Sequence, residues 1–222
     1  MPVHKPEVGR KFHADGSARR FPGNTIICPV GPAAPQYEEI CGVQTRALAR
    51  RFGPKLAPLP PSSFHVTVFD GLCDEERVPE HWSSRIPLDA PLEETDRLLA
   101  GWLAPLRWPD RLNMALVGLG SFEVGLNLEL TPADEVSAGR LAGFREAVAR
   151  ATGIRHPGFE SYAFHLSLAY LLYELDGEEL ADYRELAAET EARLAPSFGV
   201  LELGRPRLTF FEDMFAFPLS RR

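Results

Sequence analysis

The sequence predicts an α+β protein built as two similar halves, with antiparallel sheets and helices on the outer faces. Three observations carry this. Phe64-His65-Val66-Thr67-Val68 is matched by Phe164-His165-Leu166-Ser167-Leu168, one hundred positions later. The same order of elements, strand, helix, His strand, helix, strand, reads over about 24–119 and again over about 122–217. The strands alternate apolar and polar residues, the signature of sheets with one buried and one open face.

Taken in order, residues 1–23 are rich in Gly, Pro and charge and are expected to form an irregular leader to one bilobal domain over 24–217. Asn24 to Val30 is a short β-rich run. Gln36 to Phe52 has helical spacing of Tyr37, Ile40, Val43, Leu48 and Phe52. Four prolines in Pro54–Pro61 predict a break without regular structure before the first His strand. Residues 70–91 are acidic and Pro-containing, with Trp82 inside, and read as a surface excursion or lid.

Leu92 to Leu106 is a predicted helix and Leu112 to Leu119 a strand. Phe122 to Leu130 alternates strictly, with Phe122, Val124, Leu126, Leu128 and Leu130 inward and Glu123, Asn127 and Glu129 outward. Thr131-Pro132-Ala133-Asp134 predicts a helix start, with a hydroxyl cap, Pro in the first turn and an acid at the positive end. That helix should run to about Ala151. The second His strand spans Ala163 to Leu171. A Glu-rich amphipathic helix follows over Asp176 to Leu194, then strands over Val200 to Leu203 and Arg207 to Phe217.

Composition excludes several classes. The 222 residues carry a formal net charge of −7, which argues against long nucleic acid as partner but leaves room for a small phosphate ester. No apolar run reaches membrane-spanning length, and Met1 to Lys11 lacks the apolar core of a secretory signal. Cys28, Cys41 and Cys73 have no paired spacing, which fits a reducing cytoplasm.

In a strand, His65 shares a face with Thr67, and His165 with Ser167, opposite the aliphatic residues. If the two polar faces meet across a cleft, one imidazole can take a proton while the other gives one. Thr67 and Ser167 can each donate a hydrogen bond to a non-bridging phosphate oxygen. In-line displacement at phosphorus needs this arrangement, and it needs no metal. A metal site on His65 and His165 would require carboxylate or Cys partners. Asp70 stands near the first, but nothing comparable follows the second until Glu174.

These two tetrads, His65-Val66-Thr67-Val68 and His165-Leu166-Ser167-Leu168, resemble those of the two-histidine (2H) phosphoesterase superfamily. Phe21-Pro22-Gly23-Asn24-Thr25 and Ser161-Tyr162-Ala163-Phe164-His165 look like a bacterial branch of it. The resemblance implies a bilobal fold with a central cleft and metal-free, cofactor-free chemistry on a cyclic phosphodiester, a 2′,3′-cyclic nucleotide or an RNA 2′,3′-cyclic end. By position, His65 and His165 would be the acid–base pair, and Thr67 and Ser167 the phosphate binders. The competing expectation is a non-catalytic module that holds a nucleotide or RNA end in the same cleft.

Other residues are read more plainly. Strand parity puts Tyr162 with Phe164 on the apolar face. Phe211 is either core or a stacking surface for a base. Asn24 is either a turn cap or a phosphate contact. His4, His13, His81 and His156 fall in solvated loops, with His156 near enough to line a cleft. Arg155 is either a surface residue or a source of positive charge.

Overall fold

The structure, a computed structural model, describes residues 3–123 and 125–221. Val124, expected to point inward, lies outside the described residues. The strands are β1 (Gly23–Pro29), β2 (Leu56–Pro58), β3 (His65–Cys73), β4 (Leu112–Leu119), β5 (Gly125–Pro132), β6 (Phe164–Leu171), β7 (Val200–Leu203) and β8 (Arg207–Phe211). The helices are α1 (Tyr37–Leu48), α2 (Leu92–Leu103), α3 (Glu135–Thr152) and α4 (Gly177–Leu194).

The strands form one antiparallel sheet in the order β7-β4-β5-β6-β3-β1-β8, with β2 paired to β6. Two half-sheets meet where β3 and β6 touch, at the pair Val66↔Leu166. The fold is thus α+β, as expected from the alternation.

The duplication is exact in register. Ile27 pairs with Thr67 and Pro29 with His65. Asn127 pairs with Ser167 and Glu129 with His165, each residue one hundred positions on. A bulge falls between Ile26 and Ile27 in β1 and between Leu126 and Asn127 in β5, the same place in both halves. Such a bulge adds twist and bends the strand, which turns the two polar faces toward a shared hollow.

The last strands cross over. β4 pairs with β5 and β7, and β8 pairs with β1. Each half-sheet therefore borrows a strand from the other sequence half, across the boundary between 24–119 and 122–217.

The core lies on the opposite face from the histidines. Val66, Val68, Leu166 and Leu168 are at most 1 % exposed. α3 packs on β3, β4 and β5, and α4 on β4 and α1. Gln44 of α1 donates to the carbonyls of Leu59 and Leu168 at 2.8 and 2.7 Å, and so ties the helix to β6 and the segment after β2. Among the described residues no helix is long and apolar enough to cross a membrane.

Four local expectations are corrected. Leu56–Pro58 forms strand β2 despite Pro58 and the prolines around it, because it pairs along one side only, with β6. Thr131 and Pro132 stay in β5, and the cap of α3 is Asp134, whose carboxylate accepts from Ser137 N at 2.6 Å. The strand begun at Arg207 ends at Phe211 rather than Phe217, as the Asp213 side chain accepts from Phe215 N at 2.7 Å and turns the chain.

The fourth concerns 70–91, read as an excursion or lid. Residues 70–73 belong to β3, and Ser83, Ser84 and Arg85 dock on the end of α3. Trp82 is buried, Ser83 Oγ donates to Thr152 O at 2.6 Å, and Arg85 donates to the carbonyls of Ala151 and Arg150. A guanidinium there satisfies orphan carbonyls at the negative end of the helix.

The leader is irregular but not loose. Phe12 is fully buried, its ring 4.9 Å from that of Tyr170. Lys5 N donates to Leu172 O, and Glu174 N to Val3 O, both at 2.9 Å, pinning the leader beside the end of β6.

Candidate active site

A cleft of about 620 Å³ opens on the polar face of β3 and β6. His65, Thr67, His165 and Ser167 all line it. The pleat is the reason: Val66 and Leu166 point into the core, so their neighbours on either side point into the cleft. β3 and β6 meet at the pair Val66↔Leu166, so His65 and Thr67 flank that point on one strand and His165 and Ser167 on the other. The two imidazoles are near enough for the charge of His165 to act on His65.

Both rings are held the same way. His65 Nδ1 lies 2.7 Å from Ser63 O, and His165 Nδ1 lies 3.0 Å from Ala163 O, in each case the carbonyl two residues back. A carbonyl only accepts, so Nδ1 carries the proton in the neutral ring. Nε2 is then the atom left for chemistry, a base when bare and an acid when protonated.

The environments of the two rings differ. Phe217 packs on His65, ring centroids 4.2 Å apart. Burial pushes the His65 imidazole down from 6.5 to about 4; the Ser63 carbonyl opposes this and the nearby His165 adds to it. His165 instead faces Glu129 of β5 across the strand pair.

Tyr162 packs edge-on against Phe164, ring centroids 5.1 Å apart, as strand parity suggests. It stands just before β6 and also reaches the lining of the cleft. Its hydroxyl lies 3.5 Å from Asp70 Oδ1, and the Arg145 guanidinium sits 4.5 Å from its ring centroid. Burial, then the Asp70 charge, holds the phenol well above its ordinary range. Arg145 itself is buried, bonded to the carbonyls of Val68 and Phe159 at 2.5 and 2.9 Å.

Asn24 makes neither a turn cap nor an open contact. Its amide nitrogen donates to Asp96 at 2.8 Å and its oxygen accepts from Leu72 N at 2.9 Å, clamping β1 to β3 and α2. Phe211 is buried and packs against Phe217, on one wall of the cleft. His81 and His156, read as solvated loop residues, stand 5.3 Å apart ring to ring at one end of the cleft. His156 Nε2 lies 2.8 Å from Gly71 O. Arg155 is spent on surface pairs with Glu146 and Glu160 and does not line the cleft.

Sequence reasoning missed Arg10 and Lys11 of the leader, Phe217, and the pair Asn127 and Glu129, all of which line the cleft. For the last two a signal existed: their outward face on β5 is the face that carries the histidines on β6. Nothing local in the leader or the C-terminal segment announces where it lands.

No curated protein matches the sequence of this chain. Among solved structures it is similar to the conserved protein of unknown function ATU0111 from Agrobacterium tumefaciens str. C58. The TM-score is 0.90 at 27% identity, over 98% of this chain and 91% of that one. TT0787 of Thermus thermophilus aligns at TM-score 0.44 and 20% identity, over 69% of this chain and 76% of that one. E. coli LigT in apo form aligns at TM-score 0.39 and 18% identity, over 72% and 76%. A family model matches residues 11–124, a stretch that holds the first tetrad and ends before the second. By that match the chain belongs to the 2H-phosphodiest family, described as a domain of unknown function (DUF1868), and so to the two-histidine phosphoesterase superfamily.

Proposed function

We propose that this protein is a metal-independent phosphoesterase that opens a cyclic phosphodiester, either a 2′,3′-cyclic nucleotide or an RNA 2′,3′-cyclic end. One observation supports the reading above the rest. Two imidazoles and two hydroxyls share one open face beside a single strand pair, each imidazole with its Nδ1 engaged and its Nε2 left over.

In the reaction, water attacks phosphorus and gives its proton to one Nε2. The bond from phosphorus to the 2′ or 3′ oxygen breaks, and the other Nε2–H protonates that oxygen. The product is a phosphomonoester, and solvent exchange restores the two rings. Thr67 and Ser167 donate to the non-bridging oxygens as charge builds there. The cleft volume of about 620 Å³ suits a nucleotide. Its lining includes Glu7, Asp70, Glu76, Glu123 and Glu129 against Arg10 and Lys11, a balance that favours a small substrate over a long polyanion. Free thiols at Cys28, Cys41 and Cys73 favour a cytoplasmic setting.

The test is a screen of 2′,3′-cyclic nucleotides and RNA 2′,3′-cyclic ends in the presence of chelator. Wild type should turn over with a bell-shaped pH profile. His65→Ala and His165→Ala should each lose about 10²–10⁴-fold in kcat. Activity that survives either change, or nucleotide binding by calorimetry with no product after long incubation, would refute hydrolysis; the latter would leave a binding module.

A further inference from the structure

The hundred-residue repeat extends past the strands to two buried helix side chains. Gln44 of α1 donates from Nε2 to Leu59 O at 2.8 Å and to Leu168 O at 2.7 Å. Arg145 of α3 donates to Phe159 O at 2.9 Å and to Val68 O at 2.5 Å. Leu59 and Phe159 are one hundred positions apart, and so are Val68 and Leu168. One bonding pattern is thus used twice, and it is crossed. α1 lies in the first half of the sequence and reaches the His strand of the second; α3 lies in the second half and reaches the His strand of the first.

The acceptors mark the place. Val68 and Leu168 directly follow the hydroxyl residues Thr67 and Ser167. The ladder skips each of them: Ile27 and Ile26 pair with Thr67 and Phe69, and Asn127 and Leu126 pair with Ser167 and Ala169. Val68 and Leu168 are therefore the extra residues of the two bulges, where regular pairing holds the backbone least. The bulges also reset the alternation of side chains. Asp70 and Tyr170 line the cleft three residues on from Thr67 and Ser167, where strict alternation would turn them to the other face.

We propose that Gln44 and Arg145 are crossed positioning residues: each holds the bulge of the opposite half so that the adjoining hydroxyl, Ser167 for Gln44 and Thr67 for Arg145, points at the substrate phosphate. The role at phosphate rests on the phosphoesterase reading above; the aiming of the two hydroxyls stands apart from it. Gln44 is 7 % exposed and Arg145 5 %, and neither lines the cleft, so each acts through the strand it holds. Burying an amide and a guanidinium carries a desolvation cost that an apolar side chain of similar length would not. The carbonyl bonds offset that cost, and they add a fixed backbone direction just past each hydroxyl.

Gln44→Met and Arg145→Met keep most of each side chain's bulk and remove its donors. Three-bond couplings in isotopically labelled protein report the χ1 rotamers of Thr67 and Ser167 without any turnover. Arg145→Met should convert a single Thr67 rotamer into an average and leave Ser167 unchanged; Gln44→Met should do the reverse. On 2′,3′-cyclic AMP, kcat/KM should fall about tenfold or more in each variant, toward the roughly 10²-fold that a misplacement of about 1 Å can cost. Arg145→Met should cost less than about twofold further in a Thr67→Val background, yet combine independently with Ser167→Ala, and Gln44→Met should show the opposite pairing. Should Arg145→Met fail to fold, Arg145→Lys, which loses the two-pronged donor, takes its place in both measurements. Rotamers unmoved in both variants would overturn the proposal, as would either variant loosening both hydroxyls alike. Should the rotamers respond in the crossed pattern while no cyclic ester is turned over, the phosphoesterase reading fails and the positioning role stands.

Discussion

At the scale of single residues, the informative fact is that two chemically identical side chains sit in unequal surroundings. His65 is covered by Phe217 and its imidazole is lowered to about 4 from an ordinary 6.5. Between those values the unfolded chain binds a proton that the folded chain refuses, so stability rises with pH across that window. Folding free energy should therefore drop as pH is taken from about 6.5 toward 4, and His65→Gln should flatten that part of the curve. Urea denaturation of the two proteins across this window measures it, and an unchanged slope would show that His65 is not desolvated. Tyr162 teaches the complementary lesson. Its place in the sequence suggests core packing, yet the turn before β6 aims its hydroxyl at Asp70.

At the scale of elements, segments that look dispensable are holding the cleft together. The leader buries Phe12 against Tyr170 and Phe215 and carries Arg10 and Lys11 to the cleft wall. Phe12→Ala should cost about 3–5 kcal/mol, the range for emptying a buried aromatic site, against a typical total of about 5–15 kcal/mol. A denaturation midpoint indistinguishable from wild type would mean the leader is not docked in solution. The 70–91 stretch was legible as irregular and not as attached. Its anchor, Arg85 on the last carbonyls of α3, joins positions more than sixty apart in sequence.

At the scale of the whole molecule, the exchange of β4 and β8 means neither sequence half completes its own sheet. The join at Val66↔Leu166 then links the two half-sheets through the strands that carry the site. Unfolding should be a single transition, with Trp fluorescence and far-ultraviolet circular dichroism superimposing. Fragments cut at Gly120 should fail to fold separately, since the first lacks β8, which pairs with the side of β1 away from β3. Two resolved transitions, or a folded 1–120 fragment, would contradict the coupling.

Sequence alone determined what depends on near neighbours. The period of two sorted His65 with Thr67 and His165 with Ser167, and the hundred-residue repeat announced two matching halves; both are local patterns written directly into the chain. Tertiary structure decided whatever depends on which distant segments meet. Phe217 over His65, Glu129 beside His165 and Arg10 in the wall are products of strand register and chain return, set by burial summed over the whole core. The symmetry of the site is thus a property of the sequence, and the breaking of that symmetry is a property of the fold.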